Sequence, residues 1–212
     1  MAGGSGARWG NYMGIPKHLV PIDGVPLLHR TVAQFLDRHV EVVVLAPPDP
    51  RYQVNRAWTV RPEFTDCDTD KFLSSMPWWH YSAPTTVVYG DCYLTDLAVD
   101  ALTRGRGMTW VGRAGASNIT GCPWGELFGV TVDASHHGKL ASAILQVRGQ
   151  LLAERIPRGG GWEVYRATQG MGLLPDHHAI RGDFVEVDDW SDDFDFPEDY
   201  DRWNGRRALL SG

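Results

Sequence analysis

Two short valine-rich runs constrain this chain more than any other feature. Residues 40–46 read VEVVVLA and residues 85–89 read TTVVY. Each is a nearly continuous apolar stretch of strand length. Such a strand has to be covered on both sides, as in a sheet lying between layers of helix. Pro47-Pro48 stops the first run and Gly90-Asp91 stops the second.

The segments between and after them carry helical and further strand patterns. After Pro26, Leu27, Leu28, Val32, Phe35 and Leu36 recur at helix spacing, which predicts a helix to about Arg38. A weaker strand is expected over 58–61. Thr69 is placed to cap a short helix from Asp70 to about Met76. Helices are expected over 95–103, 135–153 and 162–168, and around 198–203. Strands are expected over 108–112, 127–132 and 184–187. The alternation predicts an α/β domain with a mostly parallel sheet and helices on both faces. The 212 residues suit a single domain spanning 1–212, and Gly159-Gly160-Gly161 is too short to be a domain linker.

Composition narrows the function. A formal net charge of −6 argues against a protein that coats nucleic acid. No apolar run approaches the ~18 residues of a membrane span. The opening MAGGSGARWG lacks the apolar stretch of a signal peptide, so the chain reads as cytoplasmic. Cys67, Cys92 and Cys122 form no C-x-x-C pair and read as free thiols. His136-His137 and His177-His178 lack ligand spacing on a helix face and read as surface residues.

The chemistry concentrates in four places. Gly3-Gly4-Ser5-Gly6-Ala7-Arg8, with Pro16-Lys17 downstream, offers backbone amides free to approach phosphate oxygens and two cations to balance them. It is neither a Walker A loop nor a dinucleotide fingerprint. Asp91 follows a buried strand, where ligands bind in open α/β sheets. It is a candidate Mg²⁺ ligand, with a turn or capping role as the alternative. A third group, Asp188 to Asp199, is strongly acidic; most of it reads as solvated surface or helix capping. The fourth lies around Glu126 and in Trp162-Glu163-Val164-Tyr165-Arg166. Carboxylates flanked by glycine and tryptophan suit sugar hydroxyls, and Arg166 suits a phosphate; ordinary turn chemistry is the alternative.

Three ordered segments resemble the sugar-phosphate nucleotidylyltransferase superfamily, which implies a Rossmann-like sheet of the glycosyltransferase-A type. They are Ala2 to Arg8 with Pro16 to Leu28, then Gly90-Asp91, then Asp193-Phe194-Asp195-Phe196-Pro197-Glu198-Asp199-Tyr200. The compact size and the tryptophan-rich middle look most like small members encoded by phages. The resemblance implies Mg²⁺-dependent joining of a nucleoside triphosphate to a sugar phosphate, or a similar phosphorylated alcohol, with release of pyrophosphate. It implies nucleotide binding by Ala2, Gly3, Gly4, Ser5, Gly6, Arg8 and Lys17. It places Ser74 near the base, and Asp195, with Asp193 as runner-up, beside Asp91 as the second metal ligand. Arg8, Lys17 and Asp91 then form the catalytic set, and Glu126, Trp162, Glu163 and Arg166 the acceptor side. Small members often dimerise, so a homodimer is an expectation by analogy.

One feature departs from the family. Its loop follows a central strand, of ordinary length about five or six residues, and here only Met1-Ala2 precede Gly3. The expectation is a start upstream, or a sheet lacking its first central strand. Two rival functions remain at this level. One is a glycosyltransferase of the same fold that takes a nucleotide sugar, with a modified nucleobase as one acceptor. The other is a non-catalytic nucleotide-binding module.

Overall fold

In the computed structural model, residues 1, 2, 6–174 and 179–211 are described, with side chains through residue 209. Gly3, Gly4, Ser5, His177 and His178 lie outside the described residues. A small hairpin, β1 (Pro21–Ile22) and β2 (Val25–Pro26), turns at Asp23-Gly24, both at positive φ. It feeds α1 (Leu27–Leu36), whose Leu27, Leu28, Thr31, Val32 and Phe35 are buried at the spacing the sequence predicts. The first valine run supplies β3 (Val43–Leu45), followed by β4 (Trp58–Val60) and α2 (Asp70–Ser75). The second supplies β5 (Thr85–Val88), then β6 (Cys92–Tyr93) and α3 (Asp96–Arg104). Thr95 caps α3 by accepting the Ala98 N–H.

Next come β7 (Met108–Arg113), β8 (Glu126–Val132), α4 (His137–Leu152) and α5 (Gly161–Thr168). β9 (Phe184–Glu186), β10 (Asp192–Asp193) and α6 (Pro197–Ser211) complete the chain. α6 is much longer than the helix expected around 198–203. The two-residue strands β6 and β10 were not expected at all. They exist only by pairing with each other, Asp192 with Tyr93 and Asp193 with Cys92, and so leave no period in the sequence.

The central sheet runs β5–β8–β7–β9. Parallel pairing, as expected, joins β3 to β4 and β7 to β9. β8, however, is antiparallel to both of its neighbours, so the sheet is mixed rather than mostly parallel. The reversal follows from β7 and β8 being joined without a crossover helix, which parallel neighbours require. Helices cover both faces. Val87, Trp110, Val130 and Val132 pack with Ile144, Val147, Val164 and Tyr165 on one side. Val111 and Phe128 pack with Phe35, Val99 and Leu102 on the other.

The register shifts between Val111, opposite Gly129, and Gly112, opposite Leu127. Phe128 is thus the extra residue of a bulge, a device that bends a strand and re-aims its end. Gly112 permits the close approach: a Cβ there would lie 2.3 Å from the Glu126 carbonyl oxygen. The gap between β3 and β5 is not empty. The Ala2 N–H bonds the Leu45 carbonyl at 2.8 Å, the Met1 amine bonds the Val88 carbonyl at 2.6 Å, and the Gly90 N–H bonds the Met1 carbonyl at 2.8 Å. Two residues therefore stand where the missing central strand was expected and join the two sheets.

Candidate active site

The cleft is assembled by a further apolar cluster. Trp9 from the N-terminal turn, Ile22, Leu27, and Phe194, Tyr200 and Trp203 from the C-terminal segment bury one another. Burying each such side chain contributes roughly 1.5–3 kcal/mol. An exposed ion pair contributes about 0–1 kcal/mol. Packing, not the Arg8–Asp195 pair across the cleft, therefore brings the two ends of the chain together. The turn is fixed further by Gly6 and Gly10 at φ +62° and +59°, and by the Trp9 indole N–H donating to the Ile15 carbonyl at 2.9 Å.

Lys17 sits at the centre. Its ammonium lies 2.7 Å from Asp91 Oδ2 and 2.9 Å from Asp195 Oδ1, and Arg8 pairs with the other oxygen of Asp195. Burial works against the Lys17 charge, but Asp91, Asp193 and Asp195 outweigh it and raise its pKa. Burial likewise opposes ionisation of Asp91, while Lys17 and His18 hold its carboxyl well below the usual range. Asp193 is pushed well above that range by burial first, then by Asp91, Asp195 and Glu126. Burial, Asp195 and Asp192 push Glu126 up to about 8. The carboxylates outnumber their cations here.

These groups line an open cleft of about 700 Å³. Gly6, Arg8, Lys17, Asp91 and Asp195 all face it, together with Asp193, Glu126 and Trp162. Lys71 of α2 and Arg158 also line it. Neither was singled out in the sequence, where each looks like an ordinary surface cation; only the approach of α2 and α5 to the cleft distinguishes them.

Several expected residues have other duties. The Ala2 N–H is taken by the sheet and its side chain is buried away from the cleft. Ser74 is buried and holds both the N–H and the carbonyl of Phe64, so it braces a loop rather than facing a base. Glu163 reaches the cleft wall but caps its own helix, accepting the Gly160 N–H at 2.9 Å and pairing with Arg166 at 2.8 Å and Arg158 at 3.2 Å. Arg166 is 2% exposed, bound to Glu163 and the Leu173 carbonyl behind that wall, where no phosphate reaches it. Trp162 packs on Phe184 and donates to the Gly125 carbonyl. Asp192, expected among solvated acids, is fully buried and bound by Arg113, Ser117 and Thr120. Asp199 accepts the Phe196 N–H at 2.8 Å as a cap at the start of α6. His136 and His137 are half-buried rather than fully exposed, and Trp79 packs against His137.

Residues 1–106 match the MobA-like NTP transferase domain. The chain belongs to that family and is a nucleotidyltransferase. Among solved structures it is similar to CTP:phosphocholine cytidylyltransferase from Streptococcus pneumoniae, with 16% identity and a TM-score of 0.59. That match covers 99% of this chain and 96% of the other, so the fold extends past the family match to the C-terminal segment. UDP-glucose pyrophosphorylase from Acinetobacter baumanii aligns over 81% of this chain and 91% of its own, at 10% identity and a TM-score of 0.49. No curated protein matches the chain. No helix among the described residues is long and apolar enough to cross a membrane.

Proposed function

We propose that the protein is a Mg²⁺-dependent nucleotidyltransferase joining a nucleoside triphosphate to a sugar phosphate or similar phosphorylated alcohol, with release of pyrophosphate. The observation that carries this reading is the Lys17 ammonium held between Asp91 and Asp195 at the floor of the cleft. The residues fit a magnesium ion. Asp91, Asp193 and Asp195 offer hard oxygen donors, and the buried Asp193 Oδ1 has no hydrogen-bond partner among the described residues. Bound there, the ion would neutralise charge on the α-phosphate and supply a template for in-line attack.

The chain's own groups do the rest by position and charge. Arg8 is largely exposed and pairs with Asp195 at the cleft edge; turned inward, it holds the β- and γ-phosphates beside the amides of the Gly6 turn. Lys17 exchanges a carboxylate for an α-phosphate oxygen and steadies the charge that grows there. An acceptor phosphate is already an anion, so its oxygen attacks the α-phosphorus without a protein base, and pyrophosphate departs toward Arg8. No covalent enzyme intermediate is required, because alignment lowers the barrier by itself.

A second cavity of about 410 Å³ favours a variant of this reading, in which the acceptor's alcohol bears a positive charge. It adjoins the cleft through Arg8, Trp124, Glu126 and Asp195, and adds Glu198 and the Phe196 ring. The Arg8 guanidinium lies 5.6 Å over the Phe196 ring, a placement in which an aromatic face attracts a cation. Phosphocholine, which the cytidylyltransferase above is named for, is an acceptor of this kind.

The test is pyrophosphate release from each of four triphosphates against sugar 1-phosphates and phosphocholine, with and without Mg²⁺. Release that needs both the acceptor and Mg²⁺ supports the reading. Release of a free nucleoside diphosphate from a nucleotide sugar instead would make the protein a glycosyltransferase. Nucleotide binding without turnover would make it a binding module.

A further inference from the structure

The Cys92 thiol has no part in the reaction above, yet it lines the cleft beside the acidic cluster. β6 puts it there. Cys92 is the register partner of Asp193 across the β6–β10 ladder, so the two side chains leave the ladder on one face. Asp91 precedes it, and one ligand atom from each of Asp91, Cys92 and Asp193 lies within 4.8 Å of the other two. The buried Asp193 Oδ1, without a hydrogen-bond partner among the described residues, points to a ligand in the same space. Among the described residues the sulfur makes one weak hydrogen-bond contact, to the Leu127 carbonyl at 3.9 Å.

We propose that Asp91, Cys92 and Asp193 form a site for a soft divalent ion, Zn²⁺ or Cd²⁺, which competes with Mg²⁺ and blocks turnover. The donor set decides this. Mg²⁺ demands near-octahedral oxygen ligands and keeps several waters. Zn²⁺ accepts a tetrahedral set that mixes sulfur with carboxylate oxygen. A thiolate and two carboxylates make three of its four ligands, and the open cleft leaves the fourth to water. On binding, the S–H bond is replaced by a sulfur–metal bond and the proton passes to solvent; nothing is oxidised. A soft ion on Asp91 also breaks that residue's contact with Lys17. The inference rests on the reading that Asp91 and Asp193 hold a cation.

The experiment is a Cd²⁺ titration of the Mg²⁺-free protein, followed by the ultraviolet thiolate-to-cadmium charge-transfer band. One equivalent of Cd²⁺ should give the band in the parent protein and in the Cys67→Ser/Cys122→Ser variant, whose remaining cysteine is Cys92. Excess Mg²⁺ should reduce the band, and Cys92→Ser should lack it and bind Cd²⁺ roughly tenfold or more weakly. A band that survives in Cys92→Ser, or is missing from the Cys67→Ser/Cys122→Ser variant, overturns the proposal. The double variant tests the site even if Cys92→Ser does not fold. Mg²⁺-dependent pyrophosphate release without any band would sink this inference alone, whereas absent Mg²⁺-dependent release would sink the functional reading instead.

Discussion

The Arg113 guanidinium meets the Asp192 carboxylate at 3.1 Å with both side chains almost wholly buried. Asp192 also accepts bonds from Ser117 and Thr120. The next residue is Asp193, so this node fixes the strand that presents the acidic cluster. Removing one partner of a buried pair leaves the other charge uncompensated, at a cost of about 3–5 kcal/mol. Arg113→Met should therefore lower the denaturant midpoint sharply. Arg113→Met/Asp192→Leu should lose less than the sum of the two single changes. Strict additivity in a double-mutant cycle would show that the two residues do not act as a pair.

Lys17→Ala should reduce turnover by roughly 10²–10³, the scale seen when one charge-stabilising contact is removed. Asp91→Asn should do the same while leaving the circular dichroism spectrum intact. Full activity in both variants would remove the proposed catalytic centre.

Mg²⁺ should raise the melting temperature, since an ion at a hundred times its Kd adds about 2.7 kcal/mol to the folded state. Asp193→Asn should abolish that increment. Without Mg²⁺ the same variant should melt no lower than the parent, because it exchanges a buried carboxyl crowded by Asp91 and Asp195 for a neutral amide. A parent protein whose melting ignores Mg²⁺ would contradict the metal reading.

His18 is 3% exposed, and burial, against the opposing pull of Asp91, lowers its pKa from 6.5 to about 4. Between those values the unfolded chain binds a proton that the folded chain does not, so stability rises with pH there. The contribution is fully present above pH 6.5 and is lost as pH falls toward 4, a total on the order of 3 kcal/mol. Urea midpoints measured from pH 7 down to pH 4.5 should fall accordingly, and His18→Gln should flatten that part of the profile. An unchanged slope in the variant would assign the effect elsewhere.

Gly161 leaves room for Tyr89: a Cβ there would fall 1.8 Å from the Tyr89 hydroxyl oxygen. That hydroxyl is buried with no hydrogen-bond partner among the described residues. Gly161→Ala should destabilise by about 1–3 kcal/mol through overpacking. Tyr89→Phe should be close to neutral, since it deletes an unsatisfied group, and should relieve part of the Gly161→Ala loss. Thermal melts of the two single variants and the double variant give the comparison.

The parts of this protein that were legible in its sequence are those that depend on neighbours along the chain. The valine runs became β3 and β5, and the spacing of Leu27 to Phe35 became the buried face of α1. Periodicity records which face of an element is covered, so it survives without knowledge of the partner. Lys17 and Asp91 were singled out through local motifs and Asp195 through the family resemblance, and the three line one cleft.

What the sequence alone left open was every pairing between distant segments. The mixed direction of β8, the filling of the sheet gap by Met1-Ala2, and the β6–β10 ladder that sets Cys92 beside Asp193 depend on hydrogen bonds between segments far apart in the chain. So does the reassignment of Ser74, Arg166 and Asp192 from ligand or solvent to internal partners. A polar residue's type states what bonds it can make, but only the packed chain decides whether a neighbour or a substrate makes them.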